Sequence, residues 1–565
     1  MVYGVAGAVL CAGLGRKPPR RVRRRGAARV LEAPSDPAVV RSFAFPGKES
    51  LRLNLFGGQS LIGWQDFGVL ALLLLTMVIV GAYFERRQTS TSEFFLGQRS
   101  IPAWAACLAF VATEVSAVTI ISVPATAFRE NWQYLQIFIG SIAARLAIAF
   151  LFIPAFYKFD CTSIYQFLGR RFGRLTQSTA AIFFFVTRLL GSGVRLMAAC
   201  LAVSVLLGWP IVPVIVGFIG VSILYMGLGG MRAVIWTNVI QALVIVAGGL
   251  ATLLFLLSKI DGGFSGAVAL AGPAGKLSLF HWGPALSEPD FARKFFSDPN
   301  IVWIALLNGL FGSMAAFGTD QDLMQRLLTV ETRRSSQRTM LWTAAVSLGV
   351  LVIHLSIGTA LFAFYSEHPA EGLPANLETI FPHFIGHVMP AWLRGLLLSS
   401  IVLASIDSPL AALATSFVTD IYQPLRERLG RPAGDVHYLR ASRVSIVGFG
   451  VVLALLAFWF SSFDKILWLA FKIGGVTFGS LLGVFLLGLT TKRRANRANL
   501  IAMVASAAAM LALLILSEKK IVPLGWTWLV VLGTVVTYGG AWLLAPWIDT
   551  RDEGLAGPVV SATEE

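Results

Sequence analysis

The chain alternates long apolar stretches with short polar loops. Thirteen stretches, between about residue 64 and residue 546, are apolar enough to cross about 30 Å of hydrocarbon as a helix. Inside a bilayer no water satisfies the backbone polar groups, so such stretches must be helical. The pattern therefore predicts an all-α polytopic membrane protein with about thirteen transmembrane helices.

The order of the helices divides the chain into a two-unit core with flanking segments. The second to sixth helices form one group of five, and the seventh to eleventh form another. Because five is odd, the second group crosses the membrane with the opposite orientation, as in the inverted repeats of many secondary transporters. The predicted segments are a disordered or non-native N-terminal extension (1–55), the first transmembrane helix with a basic cytoplasmic loop (56–100), the first five-helix repeat (101–258), an extracellular loop (259–298), the second repeat (299–490), two C-terminal scaffold helices (491–548) and a cytoplasmic tail (549–565).

Composition and charge support this class and set the orientation. Of 565 residues, 56% are hydrophobic and 13% charged, which is not the composition of a soluble globule. One set of alternate loops holds 21 Lys and Arg residues and the other holds 8, and basic loops stay in the cytoplasm. We expect a multi-pass protein of the bacterial cytoplasmic (inner) membrane, with its N-terminus outside and its C-terminus in the cytoplasm. The net charge of +16 largely reflects this bias, so it does not indicate nucleic-acid binding.

Other classes of function lack the residues that they require. No Walker loop is present, and the four cysteines have no CxxC spacing, so neither ATP-driven pumping, a disulfide framework nor a metal site is indicated. His354 is the only histidine well inside a predicted helix, and no HExxH motif accompanies it, which argues against an intramembrane enzyme. We expect no cofactor.

The ninth predicted helix, around Leu396–Tyr422, is rich in polar residues. Hydroxyls and the carboxylate of Asp407 cost free energy in a membrane unless they face protein, water or an ion. On a helix, Ile401, Ser405 and Ser408 fall on one face, at spacings of four and three. Neutral oxygens on this face suit a sodium ion.

Charged residues inside the second, third and fourth predicted helices have two interpretations. Glu114, in the second helix, needs a partner or a proton at that depth. Arg145, Arg188 and Arg195 stay charged at any accessible pH. Each arginine either pairs permanently with Glu114 or Asp407, or captures a carboxylate of the substrate with its bidentate fork.

The seventh predicted helix holds Asn308 beside Gly309 and Gly312. Glycines next to a polar residue at mid-depth are typical of a locally unwound helix that lines a cavity. Close packing of two helices through glycine is the other interpretation.

Several stretches resemble the sodium:solute symporter family. They are TSEFFLGQRSIPAW, ATEVSAVTIISVP, GGMRAVIWTNVIQ, GTDQDLMQR and ASIDSPLAALATSFVTDIY, in order along the ten core helices. The resemblance implies a LeuT-like five-plus-five inverted-repeat core. It also implies a sodium-coupled symporter, not an enzyme, that imports a small organic solute by alternating access, with sodium as the coupling ion. We expect it to work in the lipid bilayer as a monomer.

The resemblance also implies a sodium site between the second and ninth helices. On this chain it consists of the backbone carbonyls of Ala112, Val115 and Ile401 and the hydroxyl of Ser405. Ala404 stands where the family has a further hydroxyl, so this site has fewer side-chain ligands.

A second cation site is less well supported by the resemblance. Family members with a second sodium site have an aspartate in the motif WTDVIQ, where this chain has Asn238. Asp407 and Ser408 fall near the other ligands of that site. One hypothesis is a second cation site of Asp407, Ser408 and Asn238, and the alternative is an ion pair between Asp407 and an arginine.

In the family that this chain resembles, the second, third, fourth and seventh helices form the substrate pocket. The matching positions give a set of candidate substrate residues. On this chain the set is Ser116, Thr119, Gln136 and Asn308, with Arg188 and Arg195 as cationic groups. Since arginine binds carboxylates, we expect a carboxylate-bearing solute such as a sialic acid or a monocarboxylate. The alternatives are a sodium-coupled sugar, amino-acid or vitamin symporter, a proton-coupled carrier using Glu114 or Asp407, and a membrane sensor that binds solute without transport.

Overall fold

The computed structural model describes residues 63–85, 91–207, 209–374, 377–406, 409–461 and 466–549. Helices dominate these ranges, and no β-strand occurs within them. The predicted N-terminal extension, 1–55, and all but the first residue of the predicted tail, 549–565, lie outside the described residues.

Within the described residues before 258 there are nine α-helices. They are α1 (Trp64–Glu85), α2 (Thr91–Leu96), α3 (Ala103–Glu114), α4 (Ala117–Arg129), α5 (Tyr134–Ala147), α6 (Ile153–Lys158), α7 (Ile164–Arg171), α8 (Arg174–Leu207) and α9 (Ile211–Leu257). A π-helical turn, Ile148–Phe152, joins α5 and α6, so the two run as one span, Tyr134–Lys158. The short α7 lies in a basic loop for which we predicted no helix.

The glycine-rich stretch within α9 separates two predicted helices. A straight helix of 47 residues would be about 70 Å long, more than twice the hydrocarbon thickness. Gly230 breaks it with φ 57° and ψ −157°, a conformation that residues with a side chain rarely adopt. The fifth and sixth predicted helices are therefore the two arms of α9.

Thirteen further helices follow. They are α10 (Gly263–Ala271), α11 (Phe291–Ser297), α12 (Val302–Gly318), α13 (Gln321–Leu328), α14 (Arg333–Glu367), α15 (Ile380–His387), α16 (Ala391–Ile406), α17 (Leu410–Ser416), α18 (Gln423–Arg428), α19 (Asp435–Phe460), α20 (Ile466–Thr490), α21 (Asn496–Glu518) and α22 (Trp528–Ile548). Helices α10 and α11 lie within the predicted extracellular loop, and a π-helical turn, Phe417–Tyr422, joins α17 to α18.

The apolar helices coincide with the predicted spans. Among the described residues, eight helices are long and apolar enough to cross a membrane, or up to nine with the bent pair α3–α4. Four shorter apolar helices overlap the remaining predicted spans; they are Trp64–Val80, Ile211–Leu224, Ala391–Leu403 and Gly474–Thr490. Each predicted span thus overlaps an apolar helix, while the total of thirteen stays a prediction.

Helices α5 and α12 touch through glycine. A Cβ atom on Gly309 would lie 2.1 Å from the carbonyl oxygen of Ile137 and 3.0 Å from the Cα of Gly140. Helix α12 runs without interruption from Val302 to Gly318. Of the two interpretations given for this helix, the structure shows the close packing of two helices, because Gly309 brings two helix backbones together.

Helices from both predicted repeats pack around the bent pair α3–α4. Helix α14 packs against α3, α4 and α5, and α16 packs against α1, α8 and α9. Helices α21 and α22 pack against α20 and against each other, at the edge of this core. The break between α3 and α4 therefore lies between groups of helices from both halves of the chain.

Candidate functional site

The centre of the site is the break between α3 and α4. Val115 and Ser116 have extended backbone, and the helices on either side diverge by 63°. Ser116 begins α4 with a capping box, in which its side chain and that of Thr119 each accept a hydrogen bond from the other's backbone N–H. The carbonyls in the last turn of α3 have no partners in a continuing helix, so they are available to other donors or to a cation.

The expected sodium ligands lie on both sides of this break. Ala112 and Val115 are buried at the end of α3, with 1% and 5% of their surface exposed. Ile401 is buried on α16, with 2% exposed. Ser405 is in the last turn of α16, and its side chain lies outside the described residues, as do the whole of Asp407 and Ser408.

Helix α9 ties the two halves of this region together. Gln241 donates its side-chain amide hydrogen to the carbonyl of Leu403 on α16. Three residues earlier, Asn238 lies 3.2 Å from the hydroxyl of Thr113 on α3. The side-chain amide of Asn238 has hydrogen-bond partners for both its nitrogen and its oxygen in one orientation. In that orientation the oxygen accepts from Nη2 and Nε of Arg326, at 3.0 and 3.2 Å. Asn238, expected at a second cation site, thus faces a guanidinium group.

Glu114 is paired with Arg145. The arginine is completely buried, and its Nη2 donates to both carboxylate oxygens of Glu114, at 2.6 and 2.5 Å. The hydroxyl of Ser347 on α14 donates to the same carboxylate at 2.6 Å. Of the two interpretations given for the buried arginines, Arg145 follows the ion pair.

Arg188 binds two carboxylates that sequence reasoning did not single out. It lies 3.2 Å from Asp320 and in direct contact with Asp322, and Asp322 also pairs with Arg326 at 2.7 Å. Asp320, Asp322 and Arg326 are all buried. The signal was present in the sequence, because two aspartates follow directly on the apolar seventh span in GTDQD.

Arg195 lies at the break itself. Its Nη2 donates to the backbone carbonyl of Thr113, at 3.5 Å, and its side chain is half-buried. Arg145, Arg188 and Arg326 pair with Glu114, Asp320 and Asp322 in this region, and Asp407 lies outside the described residues. The guanidinium group of Arg195 at the break is a donor that an anionic group of a solute can accept from.

Gln136 contacts the loop that was predicted to be extracellular, 259–298. The residue is 1% exposed, its side-chain amide donates to the carbonyls of Gln133 and Asn300, both at 3.0 Å, and its oxygen accepts from the N–H of His281 at 3.1 Å. Asn308, by contrast, is half-buried on α12 beside the Gly309 contact. The structure thus brings Ser116 to the break and engages Gln136 with backbone groups of the loop.

A buried carboxylate joins the repeats on the side of the predicted cytoplasmic loops. Asp420 accepts hydrogen bonds from Ser163, Ser416 and Gln177, at 2.5, 2.7 and 2.9 Å. Ser163 caps α7 and Gln177 lies on α8, whereas Asp420 belongs to the π-helical turn after α17. In the sequence, Asp420 belongs to the motif ASIDSPLAALATSFVTDIY, and no role was predicted for it.

Comparison with known proteins agrees with this architecture. A model of the sodium:solute symporter family matches residues 94–506. The sodium/sialic acid symporter SiaT of Proteus mirabilis (strain HI4320) is 29% identical over 458 residues, covering 80% of this chain and 89% of SiaT. The sodium/sialic acid symporter NanT of Aliivibrio fischeri (strain ATCC 700601 / ES114) is 28% identical over 521 residues, covering 89% of this chain and 98% of NanT.

A solved structure shares the fold. It is described as the substrate-bound outward-open state of a Na+-coupled sialic acid symporter, and it aligns with a TM-score of 0.75 and 26% identity. The alignment covers 86% of this chain and 98% of that one. The predicted all-α, LeuT-like inverted-repeat fold is thereby confirmed.

Proposed function

Since this chain belongs to the sodium:solute symporter family, and is a sodium-coupled secondary transporter and not an enzyme, we propose that it imports a carboxylate-bearing solute of the sialic acid type. The relatives SiaT and NanT are named as sodium/sialic acid symporters, and the guanidinium group of Arg195 at the break suits an acid.

The position of Arg195 carries this proposal. Its guanidinium group reaches the Thr113 carbonyl at the end of α3, next to the capping hydroxyls of Ser116 and Thr119. A carboxylate there would receive two parallel hydrogen bonds from the arginine fork. Because Arg195 donates to the Thr113 carbonyl at the break, we assign the carboxylate to Arg195. Arg188 bridges Asp320 and Asp322. Ser116, Thr119 and Asn308 would contact the rest of the solute.

The sodium ion would bind between α3 and α16. The proposed ligands are the carbonyl oxygens of Ala112, Val115 and Ile401 and the hydroxyl of Ser405. These oxygens are uncharged, which suits a monovalent cation that must leave again on the cytoplasmic side. The burial of Ala112, Val115 and Ile401 supports a site that is closed to lipid.

Transport would follow from differential binding to two conformations. Sodium favours the outward-facing state, solute then promotes closure, and both leave when the site opens to the cytoplasm. The proposed location is the inner membrane of a bacterium, with the N-terminus outside and the C-terminus in the cytoplasm. There, the membrane potential would add about 2.3 kcal/mol per charge per 100 mV to the driving force for sodium entry. A single chain contains the whole proposed site, so we propose that a monomer suffices.

Uptake into proteoliposomes tests this function. The purified full chain is reconstituted, and accumulation of a radiolabelled sialic acid is measured with an inward sodium gradient, with an inward proton gradient and with neither. Unlabelled monocarboxylates, sugars and amino acids serve as competitors.

We expect accumulation with the sodium gradient alone and competition by acids. Accumulation driven only by protons would overturn sodium coupling, and competition by sugars but not acids would overturn the assignment of the solute. Proton coupling through Glu114 is disfavoured because Arg145 holds that carboxylate in a buried ion pair.

A further inference from the structure

We infer that Arg145 and Ser347 position the sodium-binding end of α3 by holding the carboxylate of Glu114, a role that rests on the sodium site proposed above. Neither residue would touch the ion. Both would act through the backbone that supplies its ligands.

Glu114 is the last helical residue before the break. It stands directly before Val115, whose backbone is extended with φ −80° and ψ 109°, and two residues after Ala112. The directions of the Ala112 and Val115 carbonyls depend on how α3 ends at this point. A fixed side chain at Glu114 therefore fixes the orientation of two proposed sodium ligands.

The carboxylate is held from two other helices. Arg145 on α5 donates to both of its oxygens, and Ser347 on α14 donates at 2.6 Å. The guanidinium group is itself held by the hydroxyls of Ser141 and Thr343 and by the rings of Phe138 and Phe317, whose centroids lie 5.3 and 4.7 Å from it. The end of α3 is thus anchored to a group whose own position is set on several sides.

The pair also sets the charge near the ion. The C-terminal end of a helix carries about half a negative charge, and a carboxylate there adds to it unfavourably. Arg145 cancels the charge of Glu114, so the partial charges of the carbonyls remain for the cation. The partial negative charge of the carbonyls that remains suits a single monovalent cation.

The network lies on the α3 side of the site. Helix α14 packs against α3 and α5, the Glu114–Arg145 pair joins α3 to α5, and α12 contributes Phe317. The other proposed ligands are on α16, which packs against α1, α4, α8 and α9. Because none of the residues named in the network lies on α16, loosening it should weaken sodium binding without removing a ligand of α16.

Paired serine variants on α14 test the inference. Ser347→Ala removes one hydrogen bond to Glu114, whereas Ser366→Ala removes a hydroxyl that donates to the carbonyl of Phe362 in the same helix. Arg145→Lys keeps the charge but removes the fork. For each purified protein, the rise in unfolding temperature with sodium concentration is measured without solute. After reconstitution, the rate of uptake is measured as a function of the sodium concentration and of the solute concentration.

We expect Ser347→Ala to raise the sodium concentration for half-maximal stabilisation about threefold to tenfold, and Arg145→Lys to raise it further. Ser366→Ala should match the wild type, and the solute KM at saturating sodium should change less than about twofold in Ser347→Ala. An unchanged sodium midpoint in Ser347→Ala, or an equal rise in the solute KM, overturns the inference. A wild-type protein that ignores sodium instead overturns the proposed function.

Discussion

Ser163 donates a hydrogen bond to Asp420 at 2.5 Å, and both residues are buried. The two lie 257 positions apart in the chain, in the first and second predicted repeats. With Ser416 and Gln177 also donating, the carboxylate connects α7, α8 and the turn after α17. This connection joins the two predicted repeats on the side of the predicted cytoplasmic loops.

Weakening this connection should expose Cys161. The thiol is fully buried two residues before Ser163, outside the membrane spans, and burial raises its pKa to about 12. Since the thiolate is the reactive form, the wild-type thiol should react slowly at neutral pH. Asp420→Asn replaces one of the two acceptor oxygens by an amide donor, so the side chain can no longer accept from both Ser163 and Gln177. We therefore expect maleimide labelling of Cys161 to rise at least about fivefold.

The labelling uses a chain in which Cys161 is the only cysteine. Asp298→Asn, a matched change of a carboxylate in the external loop, is the control and should leave the rate unchanged. Equal rates in Asp420→Asn and the control would show that the connection does not cover Cys161.

The two arginines of α8 should differ in their effects. Arg195→Lys should raise the solute KM more than about tenfold, because an ammonium group cannot bind a carboxylate bidentately, while sodium binding stays near wild type. Arg188→Lys should mainly lower thermal stability, because Arg188 bridges Asp320 and Asp322. Uptake kinetics and thermal unfolding of both variants check this; the reverse pattern would assign the carboxylate to Arg188.

A hydroxyl added beside Ser405 should strengthen sodium binding. Ala404→Ser supplies an oxygen where the family has one, and we expect the sodium concentration for half-maximal uptake to fall by up to about tenfold. Ser405→Ala removes a proposed ligand and should raise it by a similar factor. Sodium titrations of uptake at fixed solute concentration measure both, and no change in either variant would move the sodium site elsewhere.

Two glycine substitutions should separate close packing from helix propensity. Gly309→Ala places a Cβ atom 2.1 Å from the Ile137 carbonyl, so the helices must separate, at a cost of about 1–3 kcal/mol or more. Gly349→Ala on α14 has open space and should be neutral or stabilising. Thermal unfolding in detergent compares the two, and a stable Gly309→Ala protein would contradict the packing described here.

Apolar patterning was sufficient to predict the spans, since each predicted span overlaps an apolar helix. The polar residues of the second span likewise pointed to the region of the break. Residue type alone did not show which carboxylate each buried arginine contacts. Arg145 and Arg188 have the same chemistry in the sequence, and only the fold shows that one meets Glu114 and the other meets two aspartates.

The same limit applies to Gly309 and Gln136. A glycine permits both an unwound helix and a close helix contact, and the neighbour that decides between them, Gly140, is 169 positions away. Gln136 was expected in the pocket, and its contacts with Asn300 and His281 depend on how a long loop returns to α5. Short helices such as α7 and α13 were missed because they have eight residues each, far fewer than a membrane span, although their apolar residues follow the helical period.

The contacts of Gln136 suggest the use of the predicted extracellular loop as a reporter of transport. Gln136 fastens the chain near His281 and Asn300 to the outer end of the third span, and Lys276 donates to the carbonyl of Arg129 at the end of α4. Tilting of the third span would draw this loop along with it. A fluorophore attached to the loop would therefore follow opening and closing of the outer entrance, whichever solute is carried.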